Sequence, residues 1–137
     1  MTNVTPAGLY ESIVVFGDQV FVAGMTPKAD NVLVKTGRVG AEITRNEARE
    51  LARLAAARAS SAVRERTGSL ANVVPLSMTV FICTTPEFAE LSAVADGATE
   101  AIAEWSGGLL PVRAAVGVQS LPNGAPVEVS LVVGVKR

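Results

Sequence analysis

Between Thr44 and Gly108 the hydrophobic period of the chain changes twice, from helical to alternating and back to helical. An alternating segment buries one face of a sheet and a segment of period 3.6 buries one stripe of a helix, so the switch predicts a strand held between two helices. Ala48, Leu51, Leu54, Ala55, Ala59, Ala62 and Val63 recur at helical spacing. The run opens on Thr44-Arg45-Asn46-Glu47, the pattern of a capping box, and Gly68 supplies its stop. Its stripe is mostly alanine, which lets the helix lie close on a sheet. Val74, Leu76, Met78, Val80 and Ile82 then form one apolar face of a strand whose other face is small and mixed. Thr85 before Pro86 predicts the N-cap and first position of a second helix. Its stripe is Phe88, Leu91, Ala95, Ala98, Ile102 and Trp105, ended by Gly107-Gly108.

Strands are expected on either side. Ile13 to Val15 and Val20 to Ala23 flank Gly17-Asp18, a hairpin turn, and Val32 to Val34 reads as a short third strand after the polar Lys28 to Asn31 stretch. At the other end Ala114, Val116 and Val118 alternate, Leu121 to Gly124 turns the chain, and Val127, Val129, Leu131, Val133 and Val135 alternate again. The order β-β-β-α-β-α-β-β describes one α+β domain over residues 1–137, with two helices on one face of a mixed sheet. The other face is predicted to carry Phe21, Ser77, Thr79, Phe81, Ala115, Gly117 and Val132. That set is too apolar for a solvated surface and too small for a helix layer, so a further copy of the chain is its expected cover.

Composition narrows the chemistry. The 137 residues contain no histidine, so a Ser-His-Asp triad, a His-ligated metal and an imidazole proton shuttle are excluded. One cysteine, Cys83, makes neither an internal disulfide nor a thiolate cage, and it reads as packing because no adjacent base activates it. Twelve Lys and Arg against thirteen Asp and Glu give a charge of -1, no field to hold a polyanion. Nucleic acid is not an expected partner. The N-terminal MTNVTPAGLYES has no leader pattern and no run is long enough to span a membrane, so a soluble cytoplasmic protein without metal or organic cofactor is expected.

Arg113 stands out, because it opens a strand among Leu109 to Val112 and Ala114 to Val116. A half-buried guanidinium left unpaired costs on the order of 3 to 5 kcal/mol, so its partner is a protein carboxylate or a ligand carboxylate. Glu128, pointing away from Val127, Val129 and Leu131, is the expected protein candidate, as a structural ion pair within or between chains. In the alternative reading Arg113 clamps a substrate carboxylate while Glu128 holds or deprotonates a water beside it.

Pro111-Val112-Arg113-Ala114-Ala115-Val116-Gly117-Val118, then Leu121-Pro122 and Pro126-Val127-Glu128-Val129, resembles the signature of the reactive intermediate deaminase (RidA/YjgF) family. Tyr10, the strand running into Gly24, the Gly37 segment and Thr79-Val80-Phe81 followed by Phe88-Ala89 extend the likeness over nearly the whole chain. The resemblance implies a chorismate-mutase-like homotrimer with clefts between subunits, in which enamine and imine carboxylates of the 2-aminoacrylate type are hydrolysed to 2-keto acid and ammonia. By it Arg113 binds the substrate carboxylate, Glu128 positions water, Tyr10 lines the cleft, and the backbone N–H groups of Gly24 and Ala115 make further contacts. Ala115 stands where archetypal members carry cysteine, Ala23 where they carry serine, and Ser92 in place of a cleft asparagine. These replacements imply a more apolar pocket for a larger or different carboxylate.

Two other classes compete. One is a non-catalytic trimer that senses or stores small carboxylates. The other is RNA cleavage, attached to some members of the family. Arg45, Arg49 and Arg53 form a stripe at four-residue spacing, but Glu47 and Glu50 interleave with it and no aromatics flank it, which reads as a solvated helix face.

Overall fold

The capping box forms at Thr44: the Glu47 N–H donates to Thr44 Oγ1 at 3.1 Å and the Thr44 N–H to Glu47 Oε1 at 2.9 Å. These distances come from a computed structural model that describes residues 6–137. The first five residues, part of the N-terminal stretch read above as leaderless, lie outside that range. The Lys35 ammonium and the Thr44 donors hold the Glu47 carboxyl at about 2. The helix so started, α1 (Arg45–Thr67), ends at Gly68, whose φ of 88° suits glycine and whose N–H donates to the Arg64 carbonyl.

The remaining elements are β1 (Ile13–Phe16), β2 (Gln19–Met25), β3 (Lys28–Ala29), β4 (Val32–Leu33), β5 (Val73–Cys83), α2 (Leu91–Ser106), β6 (Val112–Val118) and β7 (Val127–Val135). The main sheet has the order β1-β2-β7-β5-β6, with β5 and β6 parallel and the other pairs antiparallel. Helix α1 packs over β7 and β2 and helix α2 over β5 and β6, so both cover one face. This is the two-helix, mixed-sheet α+β architecture that the hydrophobic periods predict.

The alanine stripe does what its size allows. Ala48, Ala52, Ala55, Ala56 and Ala59 are fully buried, and α2 approaches α1 closely at Gly97. A Cβ there would overlap the Arg49 carbonyl oxygen and stand 2.8 Å from its carbon. Trp105 closes the layer by donating from Nε1 to the buried Ser60 hydroxyl at 2.9 Å, which itself donates to the Ala56 carbonyl.

Four details depart from the sequence reading. First, the third strand is not in the main sheet. Lys28–Ala29 and Val32–Leu33 form a separate two-stranded ribbon around Asp30 and Asn31, both at positive φ, a turn that Asn and Asp tolerate. Second, α2 begins at Leu91 rather than at Pro86, because the Thr85 N–H is used by the Val39 carbonyl and Phe88 closes a turn on the Thr85 carbonyl. Third, a register shift between Pro75 and Ser77 changes which residues of β5 face the helices. Val73 and Pro75 are buried before it and Met78, Val80 and Ile82 after it, while Leu76 is carried to the surface.

Fourth, the uncovered face is composed differently. Ala115 is paired with Val80 and Gly117 with Ile82, both buried beneath the helices, so these two belong to the covered face. Ala114 and Val116, opposite Thr79 and Phe81, take their places. With Val14, Phe16 and Phe21 they extend an apolar surface on which Phe16 is 78% and Val112 72% exposed.

Replacing Gly97 by Ala is expected to force the helices apart at Arg49 and cost about 1 to 3 kcal/mol, the range for overpacking a close contact. Urea unfolding of Gly97→Ala and wild type measures it.

Candidate active site

Glu128 lies on β7 between buried Val127 and Val129, opposite Phe81, and therefore points to the face that the helices leave open. Its carboxylate extends along β2 at a second register shift, between Val22 and Met25, and comes to rest on Gly24. A Cβ at residue 24 would overlap Oε2 and stand 2.7 Å from Cδ, so only glycine leaves this position open. Among the described residues Glu128 has no ion pair and no hydrogen bond. Burial without a cationic partner pushes its carboxyl above the ordinary value of 4.5.

Around it is a cleft of about 90 Å³ lined by Tyr10, Ala23, Gly24, Lys28, Arg58, Asn123 and others. Tyr10 is half-exposed, and its phenol oxygen accepts from the Ala7 N–H at 3.3 Å, leaving its own O–H proton to donate. Arg58 reaches the cleft from α1 and donates from one terminal nitrogen to the Thr26 carbonyl at 2.6 Å. Burial lowers its pKa, though a guanidinium of this kind stays charged. Neither Arg58 nor Lys28 forms an ion pair among the described residues.

Arg113 lies elsewhere. It pairs with the buried Met78 across β5 and β6, so its side chain runs over the helix-covered side of the edge strand. One terminal nitrogen donates to Asp96 Oδ1 at 2.7 Å and to Thr99 Oγ1 at 2.9 Å; the other donates to Ser92 Oγ at 2.8 Å. The carboxylate that neutralises Arg113 is thus Asp96, one turn beyond Ser92 on α2, and not Glu128. Alternation in this register places Arg113 and Glu128 on opposite faces of one sheet, so they do not meet within one chain.

Of the residues singled out in the sequence, the fold therefore brings Tyr10, Ala23, Gly24 and Glu128 into one cleft. It assembles Arg113 and Ser92 into a second cluster, with Ala115 next along the same face of β6. Arg58 and Lys28 escaped the sequence reading; they place two cations beside Ala23 in this cleft, while Ser92 and Ala115 lie in the Arg113 cluster. A signal existed: Arg58 interrupts Ala55-Ala56-Ala57 and Ala59 on an otherwise small helix surface. Lys28 gave none, because its ribbon read as a polar break.

The basic stripe of α1 is neutralised from the neighbouring helix rather than by the interleaved Glu47 and Glu50. Arg45 pairs with Glu90 at 2.8 Å, Arg49 with Glu100, and Arg53 with Glu104 and Glu100. Cys83 is buried, donates weakly to the Gln119 carbonyl and has its thiol pKa pushed up by burial, which disfavours a thiolate. Among the described residues no three of Cys, Asp and Glu converge as metal ligands, and no helix is long and apolar enough to cross a membrane.

Comparison with known proteins bears on the family and the fold. The profile of the family described as Endoribonuclease L-PSP matches residues 1–135. Protein TCP17 of Trypanosoma cruzi is 38% identical over 131 residues, which are 93% of this chain and 82% of that protein. The crystal structure of Atu1372 from Agrobacterium tumefaciens, a protein of unknown function, superposes with a TM-score of 0.90 at 30% identity, over 95% of this chain and 84% of the other. E. coli TdcF, solved with bound serine, shares the fold at a TM-score of 0.64 and 20% identity, over 96% and 91% of the two chains.

The raised pKa of Glu128 has a direct consequence for stability. Below the unfolded value near 4.5 both states are protonated and the group contributes nothing; as pH rises the unfolded carboxyl ionises first, so ionised Glu128 weighs against folding at neutral pH. Glu128→Gln is expected to melt above wild type at pH 7, with the difference vanishing as pH falls below about 4.5. Thermal unfolding of both proteins across that range checks it.

Proposed function

Because the chain belongs to the Endoribonuclease L-PSP family, which includes the YjgF and RidA proteins, we propose that it hydrolyses small imine and enamine carboxylates to 2-keto acids and ammonia in clefts between subunits of a homotrimer. The observation that carries this reading is Glu128: a carboxylate half-buried, without a protein partner and fixed over Gly24 is the base a bound water requires. A merely structural carboxylate would have been paired.

The chemistry suits a site without histidine. An imine carbon is already electrophilic, so positioning one water supplies much of the rate. In the protonated imine, water oxygen adds to that carbon and the C=N electron pair becomes the lone pair of the amino nitrogen, while Glu128 accepts the proton that the attacking water loses. Glu128 then gives that proton to the amino nitrogen, the C–N bond breaks as the hydroxyl proton passes to Glu128 and the carbonyl forms, and ammonia departs. Tyr10 directs its O–H into the cleft, and the Gly24 N–H borders it. No group beyond these side chains and the water is called for.

The trimer supplies what one chain lacks. Among the described residues strand β6 is a sheet edge, paired only with β5, and the face beside it is apolar. An unpaired edge and an exposed apolar face are both relieved by a second copy, which favours a homo-oligomer over a partner of different kind. In that arrangement Arg113 of one subunit, held in a fixed orientation by Asp96, Thr99 and Ser92, faces the Glu128 cleft of the next. Two of its five N–H donors remain for a ligand carboxylate, with the Ala115 N–H beside it. That TdcF, of the same fold, holds serine supports a small amino-acid-like ligand for the cleft. Binding of such carboxylates without turnover is the second reading, and the same cleft serves it. Ribonuclease action is disfavoured by the pairing of Arg45, Arg49 and Arg53 with acidic residues, since affinity for RNA rests on unneutralised cations.

Freshly generated 2-aminoacrylate tests the proposal. The protein is expected to release 2-keto acid faster than buffer, with kcat/KM reduced at least about 100-fold in Glu128→Gln and in Arg113→Ala. The acid limb of the wild-type profile should lie above pH 4.5, the displaced titration of Glu128, and disappear in Glu128→Gln. Rates equal to buffer would sink the enzyme. Sedimentation is expected to give three times the 14.1 kDa chain mass, and a monomer would sink the shared cleft.

A further inference from the structure

The charges lining the Glu128 cleft do not balance. Glu128 contributes one negative charge, and Arg58 and Lys28 contribute two positive ones, none of them ion-paired among the described residues. The other half-buried arginines are neutralised: Arg49, Arg53 and Arg113 each have a carboxylate, whereas Arg38, Arg64 and Arg66, which form no ion pair among the described residues, are exposed to water. Arg58 is more enclosed than most surface cations, its charge is opposed by burial, and the one protein group it engages is a neutral carbonyl at Thr26. A guanidinium desolvated to that degree without a carboxylate is an anion site lacking its anion.

The position of Arg58 is also fixed. The bond to Thr26 ties one terminal nitrogen to the backbone just beyond β2, and its remaining N–H groups are left for another acceptor. Lys28, two residues beyond Thr26 on the β3–β4 ribbon, brings a mobile ammonium to the same cleft. A rigid fork and a flexible point charge side by side suit a carboxylate.

We propose that Arg58 and Lys28 bind a second carboxylate, so that the ligand of this cleft is a dicarboxylate carrying one basic or iminium nitrogen, the amino or imino form of a short dicarboxylic acid. This rests on the reading that a first carboxylate is taken by Arg113 of the adjacent subunit and that Glu128 serves the nitrogen-bearing carbon. Three cationic side chains and one carboxylate then face two ligand carboxylates and one nitrogen. With a monocarboxylate such as 2-aminoacrylate in the site, Arg58 and Lys28 would remain without an anion.

Binding of stable amino acids tests the assignment without requiring turnover. By titration calorimetry on the native assembly, L-aspartate is expected to bind at least about tenfold more tightly than L-alanine, the worth of one charge-assisted contact. Arg58→Met is expected to bring the two affinities within about twofold of each other by weakening L-aspartate alone, and Arg58→Lys to restore part of the preference. Lys28→Met, on an exposed ribbon where folding is not at stake, should reduce the preference independently. Equal affinities in wild type, no measurable binding of either amino acid, or a preference untouched in both Met variants would overturn the inference. An aspartate preference without hydrolysis of 2-aminoacrylate or of the corresponding dicarboxylic imine would defeat the enzymatic reading and leave this one standing. Hydrolysis without the preference would do the reverse.

Discussion

The contact of the Glu128 carboxylate with the backbone of Gly24 is the constraint around which the candidate site is built. It depends on two features of the sheet. Strict alternation along β7 buries Val127, Val129, Leu131 and Val133 against the helices and thereby turns Glu128 to the open side. The register shift in β2 between Val22 and Met25 then brings a residue without a side chain under it. Either feature alone would give an ordinary surface glutamate. Together they give one that is half-buried, held without a partner and harder to ionise than a carboxylate in water.

Charge elsewhere follows a different rule. Along the helices Arg45, Arg49 and Arg53 meet carboxylates, exposed or partly exposed pairs that contribute little to stability individually, while Arg64 and Arg66 form no ion pair among the described residues and stay in water. Arg113 obeys that rule through Asp96. In the proposed assembly this is an advantage rather than an obstacle, because three hydrogen bonds to α2 fix its plane before any ligand arrives. The cleft residues Arg58, Lys28 and Glu128 break the rule. Departures from local charge balance are where a fold that otherwise satisfies itself reserves free energy for a ligand.

The helices explain why so small a chain leaves one face of its sheet uncovered. An alanine surface and Gly97 let α1 and α2 pack side by side at close range over a single face, which completes the core without a second layer on the other side. The open face keeps Phe16, Phe21, Val112 and Val116 in contact with water. That exposure carries a cost that the proposed association would remove. A site placed at the edge of this face is well positioned for residues of two chains to share.

Hydrophobic periodicity alone determined the two helices, the α+β order, the alternation of β7 and the direction of Glu128, because each is set by residues a few positions apart. The isolated cation in its apolar strand likewise marked Arg113 from composition and order. Only the tertiary structure decided its partner, since Asp96 lies on a helix whose rotation over β6 is fixed by packing and by the late start at Leu91. It also decided the register shifts at Pro75 and Gly24, the faces of Ala115 and Gly117, and the arrival of Arg58 and Lys28 beside Glu128. These depend on how α1 and a short two-stranded ribbon sit against the end of β2. Contacts between residues far apart in the chain leave no periodic trace in it, so local pattern shows which groups exist and packing determines which of them meet.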